Sequence, residues 1–294
     1  MLNLCDPKTI REVMTMFGLA FKKEYGQNFL TDLVTVENIA DACSPYDADI
    51  TVLEIGPGIG CMTRCLCERY REVVALEIDA GLIPVLRYTL GGYDNVTVIN
   101  EDVMKADLGA ILAPYFARGK VAVCANLPYY ITTPILMKLL ESRLPFESIT
   151  VMVQSEVAER LCAGAGGKNC GAITAAVDYY GKSELLFTVN AQKFMPPPKV
   201  NSSVARITLW KDKPIKPLSE EMFFRTVKAA FEQRRKTLPN SLMTGFSEIS
   251  KERLTEIITQ CGYRADIRGE RLTVAELSTL SDQLYLELKG GKEA

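Results

Sequence analysis

The side chains of this sequence that first suggest chemistry are Asn126, a hydrogen-bonding amide, and Tyr129, a flat ring three residues later. They follow residues 121–125, a run of small or β-branched apolar residues that is typical of a strand buried on both faces. Pro128 ends that strand because it has no amide hydrogen to donate. The amide of Asn126 can donate and accept hydrogen bonds, and ligands of open α/β sheets bind at the carboxyl ends of the strands. The sequence therefore predicts a ligand site here, with a polar turn and packing tyrosines as the alternative.

Two earlier strand ends carry groups suited to a nucleoside. The predicted strand 50–55 leads into Gly-Pro-Gly-Ile-Gly, which starts at Gly56 and would let a ligand approach both the backbone and the next helix N-terminus. The glycine spacing differs from the G-x-G-x-x-G of dinucleotide sites, which disfavours a nicotinamide cofactor. Glu77 follows the next strand, 73–76, where a carboxylate can accept hydrogen bonds from both hydroxyls of a ribose.

Asp102 follows a third strand, 96–100, where an acid can accept a hydrogen bond from the amino group of an adenine. A further strand, 149–154, precedes a helix over 156–162. The five strand–helix alternations predict a parallel, doubly wound sheet. One carboxylate at a strand end is usually a solvated cap, but groups of these types at successive strand ends indicate a nucleoside cofactor.

The composition limits the chemistry. The chain has 294 residues, the length of about two domains, and contains no histidine. This excludes imidazole acid–base catalysis and histidine-activated nucleophiles. The net charge of −2 hides an asymmetry, because residues 1–192 carry 16 Lys/Arg against 23 Asp/Glu whereas residues 193–294 carry 18 against 13. The basic second part favours a polyanionic partner.

The cysteines and the N-terminus bear on metals and location. The nine cysteines are scattered, as expected in a reducing compartment. Cys61, Cys65 and Cys67 have a spacing that differs from the C-x3-C-x2-C of radical enzymes, so we predict helix residues and no metal site. There is no run of 18 apolar residues and no apolar core of a signal peptide. We therefore expect a cytoplasmic protein without membrane contact.

The remaining elements frame this sheet. Asp6 and Gly18 are start and stop signals of a first helix, and a second helix is predicted from Thr31 or Asp32. Residues 21–30, between them, have no regular period and are predicted to form a loop that could cover a flat ligand. After a strand over 203–209 and a linker over 211–217, three helices are predicted over 219–236, 250–262 and 273–288, the first ended by Pro239. The predicted domains are 1–210 and 211–294.

Eight segments of the sequence are informative together, namely Gly-Gln-Asn-Phe-Leu (26–30), Glu-Ile-Gly-Pro-Gly (54–58), Glu-Ile-Asp (77–79), Glu-Asp (101–102), Asn-Leu-Pro-Tyr (126–129), Gln-Ser-Glu-Val-Ala-Glu-Arg (154–160), Phe-Met-Pro-Pro-Pro-Lys-Val-Asn-Ser (194–202) and Ala-Phe-Glu-Gln-Arg-Arg-Lys-Thr-Leu (230–238). In order and approximate spacing, these segments resemble S-adenosylmethionine-dependent methyltransferases of the rRNA adenine N6-methyltransferase family. The resemblance covers nearly the whole chain and is closer to the small-subunit branch than to the Erm resistance enzymes.

The resemblance implies an α/β fold of the Rossmann-like class I methyltransferase type with a small C-terminal all-α domain that contacts RNA. It implies S-adenosylmethionine as the cofactor and S-adenosylhomocysteine as its product. The implied cofactor contacts are Asn28, Leu30, Gly56, Glu77, Asp102 and Asn126. The implied catalytic residues are Asn126, Leu127, Tyr129 and Phe194. Gly56, Glu77 and Asp102 were also assigned above from their places at strand ends.

The activity that this resemblance implies is dimethylation of N6 on two adjacent adenosines in the 3′-terminal hairpin loop of 16S small-subunit rRNA, with a role in small-subunit biogenesis. The expected partner is small-subunit rRNA or an immature small subunit, bound by a monomer. The alternatives are an Erm-like methyltransferase of large-subunit rRNA, another substrate such as DNA, and an RNA-binding assembly factor whose methylation is incidental.

In the expected mechanism, the side-chain carbonyl of Asn126 and the backbone carbonyl of Leu127 accept the two N6 hydrogens, and orientation supplies most of the catalysis. Tyr129 stacks on one face of the adenine and Phe194 on the other, with core packing as the alternative for Phe194.

Basic residues of the second domain have two interpretations. Residues 234–236 could stabilise the end of a helix through its dipole, or they could contact RNA phosphates. The phosphate interpretation also includes Lys22, Lys23, Lys199 and either Arg225 or Lys228.

Overall fold

The computed structural model describes residues 2–22, 26–44, 47–167, 169–233 and 235–290. Lys23 and Arg234, two of the predicted phosphate contacts, lie outside the described residues. In chain order the helices and strands are α1 (Pro7–Met16), β1 (Phe29–Leu30), α2 (Leu33–Cys43), β2 (Thr51–Ile55), α3 (Cys61–Cys67), β3 (Glu72–Glu77), α4 (Leu82–Thr89), β4 (Val96–Asn100), α5 (Leu108–Phe116), β5 (Val121–Asn126), α6 (Thr132–Glu141), β6 (Phe146–Gln154), α7 (Ser155–Leu161), α8 (Ala172–Tyr180), β7 (Gly181–Val189), β8 (Phe194–Met195), β9 (Ser202–Leu209), α9 (Glu220–Glu232), α10 (Leu238–Leu242), α11 (Lys251–Gln260) and α12 (Val274–Gly290).

The chain divides into two compact units. The first unit contains the chain up to Ala158 together with Ser183–Leu209, and the second contains Glu159–Lys182 and the chain from Trp210 onward. The predicted boundary after residue 210 places Glu159–Lys182 in the first domain. This segment belongs to the second unit because α8 packs on α9, where the ring of Tyr179 stacks on Phe223 with centroids 4.8 Å apart.

In the first unit, seven strands form one sheet in the order β4-β3-β2-β5-β6-β9-β7. The pairs β4–β3, β3–β2, β2–β5 and β5–β6 are parallel, which confirms the predicted parallel sheet. β9 is antiparallel to β6. All five residues of β2 are buried, because helices cover both faces of a parallel sheet. The chain turns from β2 towards β4 and later returns to β5, so β2 and β5 flank the point where the strand order reverses.

The capping residues predicted from the sequence for α1, α2 and α12 are present at the starts of these helices. The carboxylate of Asp6 accepts a hydrogen bond from the Thr9 amide at 2.8 Å and caps α1. Asp32 caps α2 in the same way through the amide of Thr35. The predicted capping box of α12 is present, since Thr273 and Glu276 exchange backbone-to-side-chain hydrogen bonds.

Two predictions from the sequence are wrong. Residues 29–30 are not loop: they form β1, which pairs with β8 because Leu30 and Phe194, opposite each other, both reach into the core. The helix that begins after Ser219 ends at Glu232 instead of near Lys236. Pro239 starts a helix rather than ending one, since a proline fits the first turn of α10. Lys236 therefore follows α9 and does not lie in its last turn.

No helix among the described residues is long and apolar enough to cross a bilayer.

Candidate functional site

The turn after β2 has three glycines with positive φ, Gly56 at 73°, Gly58 at 61° and Gly60 at 89°. Gly58 is also the most crowded, because a Cβ atom there would lie 2.7 Å from the ring of Phe29. Because its glycines have no side chains, the turn leaves its backbone accessible at the carboxyl edge of the sheet. It packs directly beneath the segment that contains β1.

Glu77, the last residue of the neighbouring strand β3, is hydrogen-bonded to this turn. Its Oε2 accepts a hydrogen bond from the Gly58 amide at 3.1 Å, and its Oε1 accepts one from the Asp79 amide at 2.8 Å. The side chain is buried, and this burial raises the pKa of Glu77. Each carboxylate oxygen can accept a second hydrogen bond, so Glu77 can hold a pair of ligand hydroxyls without losing its own contacts.

Asp79 ties the segment before β1 to the same edge. Its carboxylate accepts hydrogen bonds from Lys22 Nζ at 2.8 Å and from Gln27 Nε2 at 3.3 Å. The Gly81 amide donates to it as well, at 3.0 Å. The Lys22 ammonium is therefore paired with Asp79 within the protein, whereas the sequence offered it as a contact to an RNA phosphate.

Asn126, at the end of β5, joins this segment from the other side. Its Nδ2 donates to the backbone carbonyl of Asn28 at 3.3 Å, and the side-chain Nδ2 of Asn28 donates to the backbone carbonyl of Gly26 at 2.9 Å. The donor end of the Asn126 amide is thereby oriented, and its Oδ1 remains the end that can accept from a substrate.

Tyr129 is fixed by its hydroxyl. The Tyr129 hydroxyl and Ser202 Oγ form a hydrogen bond of 2.6 Å, and Ser202 is the first residue of β9. Burial raises the pKa of Tyr129, so the phenol is neutral near pH 7. Its ring is therefore a fixed platform rather than a proton carrier.

These groups line one cavity of the first unit, which we call the central cavity. Of the predicted site residues, it brings together Asn28, Leu30, Gly56, Glu77, Asn126, Leu127 and Tyr129. It does not bring in Asp102 or Phe194. The Asp102 carboxylate accepts from the Met104 amide at 2.9 Å and stabilises its own turn. The Phe194 ring is buried in the core with Leu30. Of the two roles considered for Phe194, base stacking and core packing, this position corresponds to core packing.

Comparison with known proteins shows the family of the chain. The family model described as "Ribosomal RNA adenine dimethylase" matches residues 18–272. The chain belongs to the ribosomal RNA adenine dimethylase family. It is 47% identical to the "Ribosomal RNA small subunit methyltransferase A" of Lachnoclostridium phytofermentans, over 98% of this chain and 100% of that protein. It is 45% identical to the protein of the same name from Geobacillus thermodenitrificans, over 96% of this chain and 97% of that protein.

Solved structures show the same fold. The 23S rRNA methyltransferase ErmE has a TM-score of 0.66 at 25% identity, covering 87% of this chain and 99% of that one. A dimethyladenosine transferase from Plasmodium falciparum has a TM-score of 0.70 at 23% identity, covering 87% and 96%. The predicted Rossmann-like class I methyltransferase fold with C-terminal helices is therefore confirmed for this dimethylase family member.

One carboxylate of the central cavity is not among the residues predicted from the sequence. Glu54 is fully buried in β2, lines the cavity, and has no hydrogen-bond partner for either oxygen among the described residues. Desolvation raises the pKa of Glu54 to about 8, moderated by the nearby Thr63 hydroxyl. The available signal was a carboxylate inside an otherwise apolar strand.

Ile78 is a second cavity residue that the sequence did not predict. Ile78 lines the cavity with 45% of its surface exposed, between two buried carboxylates. An apolar side chain that the fold leaves open beside a nucleoside-type acid is suited to contact a base.

Cys61, Cys65 and Cys67 lie on α3 as predicted. Within the described ranges, no three His, Cys, Asp or Glu side chains are arranged to hold a metal ion.

Proposed function

We propose that this protein is an S-adenosylmethionine-dependent methyltransferase that dimethylates N6 of adenosine in small-subunit rRNA. The observation that carries the proposal is that Asn126, Leu127 and Tyr129 face the same cavity as Glu77 and the glycine turn. An amine-holding group and a nucleoside-holding group therefore share one site. The name of the relatives that match the chain end to end supports the small subunit as the substrate.

The residues present fit the cofactor. S-adenosylmethionine carries an ammonium group and supplies a methyl group from a sulfonium centre. The unpartnered, buried carboxylate of Glu54 offers two acceptors to such a cation. Glu77 offers acceptors to ribose hydroxyls, and the backbone of Gly56 offers close approach. Asn28 and Leu30 would cover the cofactor, and Ile78 would contact its base.

The protein's main task in the reaction is to position the acceptor amine. An adenine N6 lone pair is delocalised into the ring, so the amine is a poor nucleophile until its geometry is held. Asn126 Oδ1 and the Leu127 carbonyl accept the two N6 hydrogens and turn the lone pair towards the donor. The amine carries a positive charge directly after it gains the methyl group, and it then releases one proton to water. No strong base is needed, which agrees with a chain that has no histidine.

Aromatic side chains hold the base flat. Tyr129 stacks on one face, anchored through Ser202. Phe194 is proposed for the other face, and this requires its ring to leave the core position it occupies here. Asp102 would accept from the cofactor adenine with the carboxylate oxygen that the Met104 amide does not use.

From its family, we also propose the substrate in more detail. It would be two adjacent adenosines in the 3′-terminal hairpin loop of 16S rRNA, methylated on an immature subunit by a monomer.

Asn126→Ala tests the proposal. We expect methyl transfer to undermethylated small subunits to fall by about 100-fold, because the amine is no longer oriented. Affinity for S-adenosylhomocysteine should weaken only modestly. Labelled-methyl incorporation and calorimetry measure the two quantities. Asn95→Ala, which removes an amide bonded to the Cys67 and Tyr70 carbonyls before β4 and away from the cavity, is the matched control and should methylate normally.

Near wild-type transfer by Asn126→Ala would remove Asn126 from the reaction. The likeness to ErmE makes large-subunit rRNA the second candidate substrate. Mapping the modified nucleotide in RNA from a deletion strain decides between the two subunits. Retained subunit binding with lost transfer in Asn126→Ala would separate methylation from a role in assembly.

A further inference from the structure

Two thiols from distant parts of the chain touch at the wall of the central cavity. The Sγ atoms of Cys5 and Cys61 are 2.8 Å apart, although the residues are 56 positions apart in sequence. Cys5 is buried immediately before the Asp6 cap of α1. Cys61 is the first residue of α3, is only partly buried, and lines the cavity beside the glycine turn.

The geometry is close to that of a bonded pair. Both cysteines are free, and the sulfur atoms need to approach by less than about 1 Å to reach the disulfide length of about 2.05 Å. Cys43 and Cys124 are also free, but both are fully buried, so an oxidant cannot reach them. The open side of Cys61 gives the Cys5–Cys61 pair a route to small molecules that enter the cavity.

We propose that Cys5 and Cys61 are a reversible oxidation site, at which a hydroperoxide converts the two thiols into a disulfide that fastens the N-terminal segment to the cavity wall. In a reducing compartment this disulfide is transient and depends on the oxidant.

The chemistry needs only the two thiols and the peroxide. The two thiols share one hydrogen bond in which either sulfur can be the donor. The Cys61 sulfur, which is open to the cavity, attacks one peroxide oxygen, the O–O bond breaks, and the leaving alkoxide or hydroxide takes up the Cys61 proton. The Cys5 sulfur then displaces the hydroxyl of the Cys61 sulfenic acid, which leaves as water after taking the Cys5 proton. Two thiols and one hydroperoxide thus give a disulfide, an alcohol or water, and one water. A small thiol reverses the reaction by exchange.

The disulfide would act on the segment that covers the cavity. Leu4 packs in one cluster with Phe29 and Ile59, and Cys5 packs in another with Leu30. Phe29 in turn lies on Gly58. The N-terminal segment, β1 and the glycine turn therefore form one packed layer, and a covalent link between Cys5 and Cys61 restrains the opening of that layer. The expected consequence, which rests on the proposed cofactor, is slower cofactor exchange.

Thiol counting and peptide mapping test the disulfide. After hydrogen peroxide treatment and alkylation under denaturing conditions, reactive thiols should fall from the nine of the sequence to seven. One linked pair of peptides should contain Cys5 and Cys61. Cys5→Ser should form no such link. Cys261→Ser, a partly buried cysteine of the second unit, is the matched control and should still form it. Oxidation that joins other cysteines, or leaves Cys5 and Cys61 unlinked, would overturn the proposal.

Release of labelled S-adenosylhomocysteine tests the consequence. We expect release from oxidised protein to be about tenfold slower than from reduced protein, and to recover with dithiothreitol. Release from Cys5→Ser should not respond to peroxide. Equal rates for linked and reduced protein would overturn the exchange effect. Reduced protein that binds no S-adenosylhomocysteine would instead overturn the proposed function and the exchange effect together, with the disulfide still decided by the peptide map.

Discussion

Glu54 and Glu77 lie on the paired strands β2 and β3, but their carboxylates have different environments. Glu77 accepts two backbone hydrogen bonds, whereas both oxygens of Glu54 lack a partner among the described residues. An unsatisfied buried carboxylate costs stability, and desolvation keeps it protonated until a cation binds beside it and favours the ionised form. Glu77 therefore acts as a structural acceptor, whereas Glu54 remains available to a cation.

The protonation of Glu54 predicts a pH dependence of stability. Its pKa is raised from 4.5 to about 8 in the folded protein, so between these values the folded state binds more protons than the unfolded state. The free energy of unfolding should then fall as pH rises through this window, with a slope of up to about 1.4 kcal/mol per pH unit from this group.

Glu54→Gln removes that contribution and is close in shape. Urea unfolding of both proteins without cofactor, from pH 5 to pH 8, measures the difference. If the two curves have the same pH dependence, the carboxylate is not protonated in the native state.

The ring and the hydroxyl of Tyr129 should contribute unequally to the rate of methylation. Tyr129→Phe loses the hydrogen bond to Ser202 but keeps the ring, so methylation should fall by less than about tenfold. Tyr129→Ala loses the stacking face, worth about 1–3 kcal/mol, and should fall further. Steady-state methylation of small subunits compares the two variants. A larger loss for Tyr129→Phe than for Tyr129→Ala would contradict the stacking role.

Residues at strand ends were the most predictable part of the site. Gly56 and Glu77 follow short apolar runs, and the topology of a parallel sheet alone brings such positions to one edge. Glu54 was not predicted because its environment depends on burial by distant segments. The same holds for Phe194, whose buried position depends on pairing with Leu30.

At the scale of elements, the glycine turn gives a controlled comparison. Gly56 and Gly58 both have positive φ, but a Cβ atom would meet nothing within 4 Å at Gly56 and the Phe29 ring at 2.7 Å at Gly58. Gly56→Ala should cost about 1 kcal/mol of stability from backbone strain, and Gly58→Ala about 2 kcal/mol or more because it also displaces the ring. Chemical denaturation measures both, and equal costs would show that the ring moves aside freely.

The elements that the sequence missed have partners far along the chain. β1 is only two residues long and has no local strand pattern, so its conformation comes from pairing with β8. The antiparallel position of β9 beside β6 likewise has no signature within its own residues. The end of α9 was misplaced because a proline can end one helix or start the next, and the choice depends on the residues that lead up to it.

At the scale of the whole molecule, the second unit is net basic, with 18 Lys/Arg against 15 Asp/Glu, although the chain as a whole carries −2. Arg225 is held by Glu248 and the Gly245 carbonyl, which leaves it poorly placed for phosphates. Arg235, Lys236 and Lys228 are exposed to solvent. The proposed RNA contact of this unit is therefore assigned first to the segment that follows α9.

Arg235→Ala should weaken RNA binding in a salt-dependent way. The slope of log affinity against log salt should fall by about one unit if Arg235 contacts a phosphate. Filter binding to small-subunit rRNA at several salt concentrations measures it. Arg253→Ala is the matched control, because that guanidinium is already paired with Glu287 and Glu256 and should leave the slope unchanged. An unchanged slope for Arg235→Ala would exclude the contact.

The pairing of Leu30 with Phe194 also has a consequence for synthesis of the chain. The ribosome completes the amino-terminal partner when little of the protein exists, and the other partner when about two thirds of it has been made. Until then the cover of the cavity has nothing to pair with, so a nascent chain can assemble most of its sheet before it can close over a ligand. Truncated products that end before residue 194 should thus be inert rather than partially active.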